Sequence, residues 1–75
     1  MAKYVIDCRG EKCPKPLYRV KRLVRIIDRD DIVEIIGDDE KSKGEIALAI
    51  EGMGYEILSI EDINSNTWRI VFKKG

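Results

Sequence analysis

Apolar and polar residues recur along this chain with two different periods, which together predict four strands and two helices. Residues 4–7 and 32–36 are short β-prone runs, and the second of them, IVEII, is almost continuously apolar. Such a run is typical of a central strand. Residues 55–61 and 67–73 are predicted to form two further strands, and the polar residues 64–66 (NSN) between them are typical of a hairpin turn.

The two predicted helices show the helical spacing of apolar residues. From Pro14 onward a single apolar stripe consists of Leu17, Val20, Leu23, Val24 and Ile27. The charged run 28–31 is expected to end this first helix. In the second helix, Ser42-x-x-Glu45 has the form of a capping box, and Gly54 is placed to end the helix in a left-handed conformation. Its apolar face consists of Ile46, Ala49, Ile50 and Met53.

The predicted order βαβαββ favours the α+β class. Two helices on one face of a four-stranded mixed sheet would bury every apolar stripe and form a two-layer α/β sandwich. With 75 residues, the chain 1–75 is expected to be a single domain. The other face of the sheet should be more polar, although Val71 and some of Ile57, Leu58 and Ile60 are expected on it. That partly apolar face is a candidate contact surface.

Composition and charge narrow the function classes. The chain is 44% hydrophobic and 37% charged, no apolar run approaches the length of a membrane span, and residues 1–7 lack a signal-peptide core. We therefore expect a soluble cytoplasmic protein. A net charge of zero argues against a general nucleic-acid binder. However, residues 1–27 hold eight Lys/Arg against two Asp/Glu, whereas residues 28–75 hold six against twelve. The basic part is either a solvated helix face or a docking surface for an acidic partner or an anionic ligand.

The stretch CRGEKCPKP, residues 8–16, contains both cysteines and both prolines of the chain. If Cys13 is the N-cap of the first helix, Pro14 occupies the first helical position, which proline favours. Pro16 then falls within the first turn, where backbone N–H groups have no helical partner. The helix dipole would favour the thiolate of Cys13 and lower its pKa. Nearby positive charge in the sequence comes from Arg9, Lys12 and Lys15. The alternative is that Cys13 is a small buried apolar residue.

Cys8 directly follows the first strand, where its side chain is expected to point inward. A Cys8–Cys13 disulfide would close only a tiny loop and gain little stability, although a redox role for the pair stays open. Because the chain has no His, a Cys-His dyad is impossible within it. Two thiolates fall short of the four ligands of a structural zinc site, so no metal is expected. What remains is a single thiol that accepts and passes on a group.

The pattern Asp7-x-x-Gly10-x-x-Cys13-Pro14-x-Pro16, followed by Lys21, Asp38-Asp39 and Gly54, resembles the TusA/SirA-like sulfur-carrier family. The resemblance covers nearly the whole chain. It implies a sandwich similar to the C-terminal domain of translation initiation factor three, and no bound cofactor. It also implies that Cys13 receives sulfur as a persulfide from a cysteine desulfurase or rhodanese. Recipients in the family include relays for tRNA thiolation, the molybdenum cofactor and sulfur oxidation.

Within this motif, Asp7 is expected to accept hydrogen bonds from loop N–H groups around Gly10, and Gly10 to supply a special backbone angle. The cations Arg9, Lys12 and Lys15 are either solvated or steer a partner. Departures from the family pattern are Tyr55, Asp30 and Cys8. Two alternative functions stay open: a thiol-independent regulatory or RNA-binding module, and a redox sensor that uses Cys8 and Cys13.

Overall fold

The computed structural model describes residues 2–12 and 15–75, a range that leaves out Met1, Cys13 and Pro14. Its elements follow the predicted order βαβαββ. They are β1 (Lys3–Asp7), α1 (Lys15–Leu23), β2 (Ile32–Gly37), α2 (Glu40–Gly52), β3 (Glu56–Asn64) and β4 (Thr67–Lys73). Neither helix of this described part is long and apolar enough to cross a membrane.

The four strands form one mixed sheet in the order β1-β2-β4-β3. β1 runs parallel to β2 and is connected to it through α1, and the β2–β4 and β3–β4 pairs are antiparallel. The apolar strand β2 is therefore central, as its sequence predicts. The predicted α+β fold with a four-stranded mixed sheet and two helices is confirmed.

Both helices pack on one face of the sheet, where the core lies. Cross-strand partners share a face, and the pairs Val33–Phe72 and Ile35–Ile70 put β2 and β4 side chains beneath the helices. The buried apolar side chains of this core are Ile6, Cys8, Val20, Val24, Ile27, Val33, Ile35, Ile46, Ile50, Trp68, Ile70 and Phe72.

Trp68 fixes the start of α2 against the sheet. Its indole Nε1–H donates to the carbonyl oxygen of Asp39 at 3.1 Å. Its ring also lies against Gly37, where an added Cβ would overlap the ring atoms Cζ2 and Cη2. Only glycine leaves room for the ring at this position.

The opposite face of the sheet is open and carries a ladder of charges across all four strands. Lys3 and Arg69 both lie 3.7 Å from Glu34, and Arg69 lies 2.6 Å from Glu61. Val71 belongs to this face, because its partner is Glu34.

Of the three apolar residues of β3 considered for the open face, Ile57 and Ile60 do not lie there. Ile57 pairs with Phe72 and Ile60 pairs with Ile70, so both lie on the helix side of the sheet. The ladder shifts register between Ile57 and Ser59, which is a bulge that alternation alone does not predict.

The helix boundaries also differ from the prediction. α1 ends at Leu23 rather than at the charged run 28–31, and a turn follows in which the Ile26 N–H donates to the Leu23 carbonyl at 3.0 Å. Val24 and Ile27 are buried all the same, so the apolar stripe continues beyond the helical backbone.

The predicted capping box at Ser42 is wrong, because the N-cap of α2 lies three residues earlier and the helix begins at Glu40. Asp39 is the N-cap, and its Oδ2 accepts hydrogen bonds from the Ser42 N–H at 3.0 Å and the Ser42 hydroxyl at 2.7 Å. The terminator is confirmed, since Gly54 has φ of +80°. Tyr55 precedes β3 instead of opening it, and its ring stacks on Phe72.

Candidate functional site

The candidate site is the connection between β1 and α1. Cys13 and Pro14 lie outside the described residues, so their predicted roles stay predictions. The structure describes what surrounds them in sequence, namely the loop of residues 8–12 and the start of α1 at Lys15. The Lys15 N–H donates to the Lys12 carbonyl at 3.0 Å. The backbone is thus hydrogen-bonded across the two positions.

Cys8 anchors the loop in the core. It is 1% exposed, and its N–H donates to the Ile36 carbonyl at 2.6 Å, which extends the β1–β2 ladder by one residue. Its own carbonyl accepts from the Glu11 N–H at 3.0 Å and closes a turn. Burial raises the pKa of the Cys8 thiol to about 11. The predicted inward orientation is confirmed, and Cys8 is a protonated packing group at neutral pH.

Asp7 and Arg9 form a closed pair at the start of the loop. Arg9 donates from Nη2 to Asp7 Oδ2 at 2.7 Å, and from Nε and its backbone N–H to Asp7 Oδ1 at 3.0 and 3.1 Å. The side-chain hydrogen bond from Arg9 lowers the pKa of Asp7 to about 2. Asp7 therefore accepts from a loop N–H as predicted, although the donor is Arg9 and not Gly10. Arg9 is occupied by Asp7, which weakens the prediction that it steers a partner.

Gly10 turns the loop toward β2. Its φ of +84° lies in the left-handed region that glycine favours, so the predicted conformational role is confirmed. Its N–H is 3.0 Å from both carboxylate oxygens of Asp38, 28 residues away in sequence. This role of Asp38 is not predicted by the sequence analysis. The available signal is that β1 and β2 are parallel, so the residues after each strand meet at one edge of the sheet.

Arg19 ties the loop to α1 and is the second residue that the sequence analysis misses. Its Nη1 donates to the Asp7 carbonyl at 2.9 Å and to Glu11 Oε2 at 2.8 Å. The other carboxylate oxygen of Glu11 is buried without a hydrogen-bond partner. Arg19 is thus the cation that compensates a partly buried carboxylate. No local pattern marks it, because the contact exists only once the loop has folded against the helix.

The three other predicted supporting residues in the described part lie on both sides of Cys13 in sequence. Pro16 is fully buried in the first turn of α1, as its predicted position there allows. Lys12 and Lys15 are exposed, and neither forms an ion pair with another described residue. Both cations therefore remain available to an anion or a partner. Within residues 2–12 and 15–75, no three acidic, Cys or His side chains group as metal ligands would.

These features define a small α/β sandwich. Contacts of Asp7, Cys8, Gly10 and Arg19 hold its β1–α1 loop, which continues in the sequence to Cys13 and Pro14. The chain belongs to the family described as Sulfurtransferase TusA, whose family model matches residues 4–74. This confirms the predicted TusA/SirA-like membership.

Relatives and a solved structure agree with this assignment. The chain is 35% identical to a Thermotoga maritima protein named "Putative sulfur carrier protein", over 97% of this chain and 98% of the relative. A protein of the same name from Archaeoglobus fulgidus is 32% identical, over 97% of this chain and 83% of the relative. The crystal structure of a SirA-like protein from Desulfitobacterium hafniense superimposes with a TM-score of 0.83 at 25% identity, covering 96% of this chain and 97% of the other.

Proposed function

We propose that this protein is a sulfur carrier in which Cys13 accepts sulfur as a persulfide and passes it to a downstream acceptor. Membership of the sulfurtransferase family and the names of the relatives support the general class. The observation that carries the assignment to Cys13 is the state of the other cysteine. Cys8 is buried and its pKa is raised, which leaves Cys13 as the thiol for exchange.

The proposed loading step is a thiolate exchange. The Cys13 thiolate attacks the terminal sulfur of a persulfide on a donor such as a cysteine desulfurase or a rhodanese. The sulfur–sulfur bond of the donor breaks, a new one forms on Cys13, and the donor cysteine leaves as a thiolate. In delivery, a nucleophile of the acceptor attacks the terminal sulfur and releases the Cys13 thiolate. Each step conserves electrons, so no external oxidant is needed.

The chain has to favour the thiolate without a general base, since it contains no His. Lys12 and Lys15, which form no ion pair with another described residue, supply positive charge next to Cys13 in sequence, and the N-terminal end of α1 adds the helix dipole. Asp7, Arg9, Gly10 and Pro16 act as scaffold, because their contacts hold the backbone on both sides. We infer a Cys13 pKa below the value of about 8.5 for a free cysteine.

The redox-sensor alternative loses support in the structure. It requires Cys8 to react with mild oxidant, and a thiol that is 1% exposed with a raised pKa is a poor nucleophile. The RNA-binding alternative predicts salt-sensitive RNA binding that survives the substitution Cys13→Ser.

Sulfur loading tests the proposal directly. The protein is incubated with a cysteine desulfurase and cysteine, or with a rhodanese and thiosulfate, and its intact mass is measured without reductant. We expect a gain of one sulfur atom in the wild type and in Cys8→Ser, and none in Cys13→Ser. A gain that persists in Cys13→Ser, or no gain from either donor, would overturn the assignment.

A further inference from the structure

An open groove of about 440 Å³ runs between the edge strand β1 and helix α1. The strand contributes Tyr4, Val5 and Ile6 to its lining, and the helix with the turn after it contributes Arg22, Leu23 and Ile26. Arg19 also lines the groove, and its Nη1 donates to Asp7 and Glu11 in the loop. Apart from Arg19, none of these residues has a role in the sulfur chemistry proposed above, so the groove needs an explanation of its own.

β1 is an edge strand that pairs only with β2 in the described sheet, so part of its backbone points away from the sheet. The Ala2 carbonyl accepts from Ile32, and the Cys8 N–H donates to Ile36, so even-numbered residues of the strand face β2. Because backbone direction alternates along a strand, the N–H and C=O groups of Lys3 and Val5 point to the free edge. A free edge of this kind is a template for an added strand.

The side chains around that edge combine apolar surface with positive charge. Val5 is 57% exposed and Ile26 is 73% exposed, and both line the groove. Arg22 is exposed beside them and forms no ion pair with a described residue. On an extended segment, alternate side chains point to the same face. An apolar residue and a carboxylate two positions apart would therefore meet Ile26 and Arg22.

We propose that this groove binds an extended apolar–acidic segment of a partner protein as a fifth strand beside β1. The occupant has the alternating pattern of an apolar residue, any residue, and Asp or Glu. Charge complementarity favours such a partner over a second copy of this chain, because a second copy would place another cationic α1 beside the first. The inference does not depend on Cys13 and stands or falls separately from the proposed function.

A synthetic peptide provides the probe. A fluorescein-labelled peptide of alternating Val and Glu is compared with a peptide in which every Glu is Lys, and with one that carries a central Pro. Binding is followed by anisotropy and by amide shifts in ¹⁵N-labelled protein. We expect the Glu peptide to bind and to shift Val5 and Ile26, and the two comparison peptides to bind about tenfold more weakly or not at all.

Variants on the protein side separate the groove from general attraction. Arg22→Glu should weaken binding of the Glu peptide about tenfold. The control Arg25→Glu makes an equal change of charge on an exposed residue outside the groove lining, and most of the binding should remain. Ile26→Asp should also weaken binding, and its exposure makes a folding defect unexpected; the thermal melt verifies this.

Three results would overturn the inference. Equal binding of the Glu and Lys peptides, or equal effects of Arg22→Glu and Arg25→Glu, would show nonspecific attraction. Concentration-dependent sedimentation that Ile26→Asp abolishes would assign the groove to a second copy. We expect the Glu peptide to bind Cys13→Ser as it binds the wild type, whether or not sulfur loads. This result distinguishes binding in the groove from the proposed function.

Discussion

Replacing Arg19 by Gln should loosen the loop that leads to Cys13 without disturbing the core. Arg19 Nη1 bridges the Asp7 carbonyl at 2.9 Å and Glu11 Oε2 at 2.8 Å. The substitution removes the charge and leaves Glu11, whose side chain is only 23% exposed, without a cation. Both the folded stability and the local order of the loop should therefore decrease.

The expected magnitude follows from the exposure of the pair. A half-exposed ion pair contributes about 0.2–1 kcal/mol, and a hydrogen bond from a charged donor about 1.5–3 kcal/mol when it is buried. Because the Arg19 side chain is 41% exposed, the second value has to be reduced. We expect a loss of about 1–2 kcal/mol in the free energy of unfolding. For a domain of this size that lowers the melting temperature by about 4–16 °C.

Urea denaturation and amide hydrogen exchange measure the two effects. Exchange should accelerate at the amides of Glu11 and Lys15, whose hydrogen bonds close the loop, and alkylation of Cys13 should shift to higher pH. Arg25→Gln, an exposed arginine with no ion pair to a described residue, is the matched control and should change stability by less than about 0.5 kcal/mol. If Arg19→Gln matches this control in stability, exchange and alkylation, the anchoring role of Arg19 is refuted.

Further predictions concern the core, the buried thiol and the cap. In urea denaturation, Gly37→Ala should destabilise the folded protein by about 1–3 kcal/mol, because the new Cβ meets the Trp68 ring. The control Gly44→Ala, at a helical position with open space around it, should be neutral or stabilising. Because the pKa of Cys8 is raised in the folded state, its thiol loses the proton at a lower pH in the unfolded state than in the folded state. Stability should therefore fall by about 1.4 kcal/mol per pH unit between about pH 9 and 11, and Cys8→Ala should lack this component in pH-dependent denaturation. Asp39→Ala should cost about 1 kcal/mol by thermal melting through loss of the N-cap; an unchanged melt would contradict it.

The sheet and the helix pair could be predicted because the relevant signals are short-range. The continuous apolar run of β2, the polar turn between β3 and β4 and the helix terminator Gly54 each specify local structure. The end of α1 could not be predicted, since Val24 and Ile27 are buried on a turn, and burial does not distinguish a turn from a helix. The start of α2 differs from the prediction because two capping residues compete there, and the earlier one, Asp39, caps the helix.

The residues of the candidate site also fall into a group whose roles could be predicted and a group whose roles could not. The roles of Asp7, Cys8 and Gly10 could be predicted, because each depends on neighbours within a few residues or on the end of one strand. Asp38 and Arg19 could not, because they reach the loop from 28 and 12 residues away once the tertiary fold has formed. Side-chain anchors of this kind leave no periodic signal in the chain.

The pH dependence of thiol alkylation in the folded protein tests the central claim most directly, with each cysteine followed by peptide mass mapping. The account predicts that Cys13 is labelled with a midpoint below about pH 8.5. It also predicts that Cys8 stays unlabelled at neutral pH until denaturant is added. A Cys13 midpoint at or above that of free cysteine, or labelling of native Cys8 as fast as Cys13, would contradict an account in which this chain carries one activated thiol and one inert one.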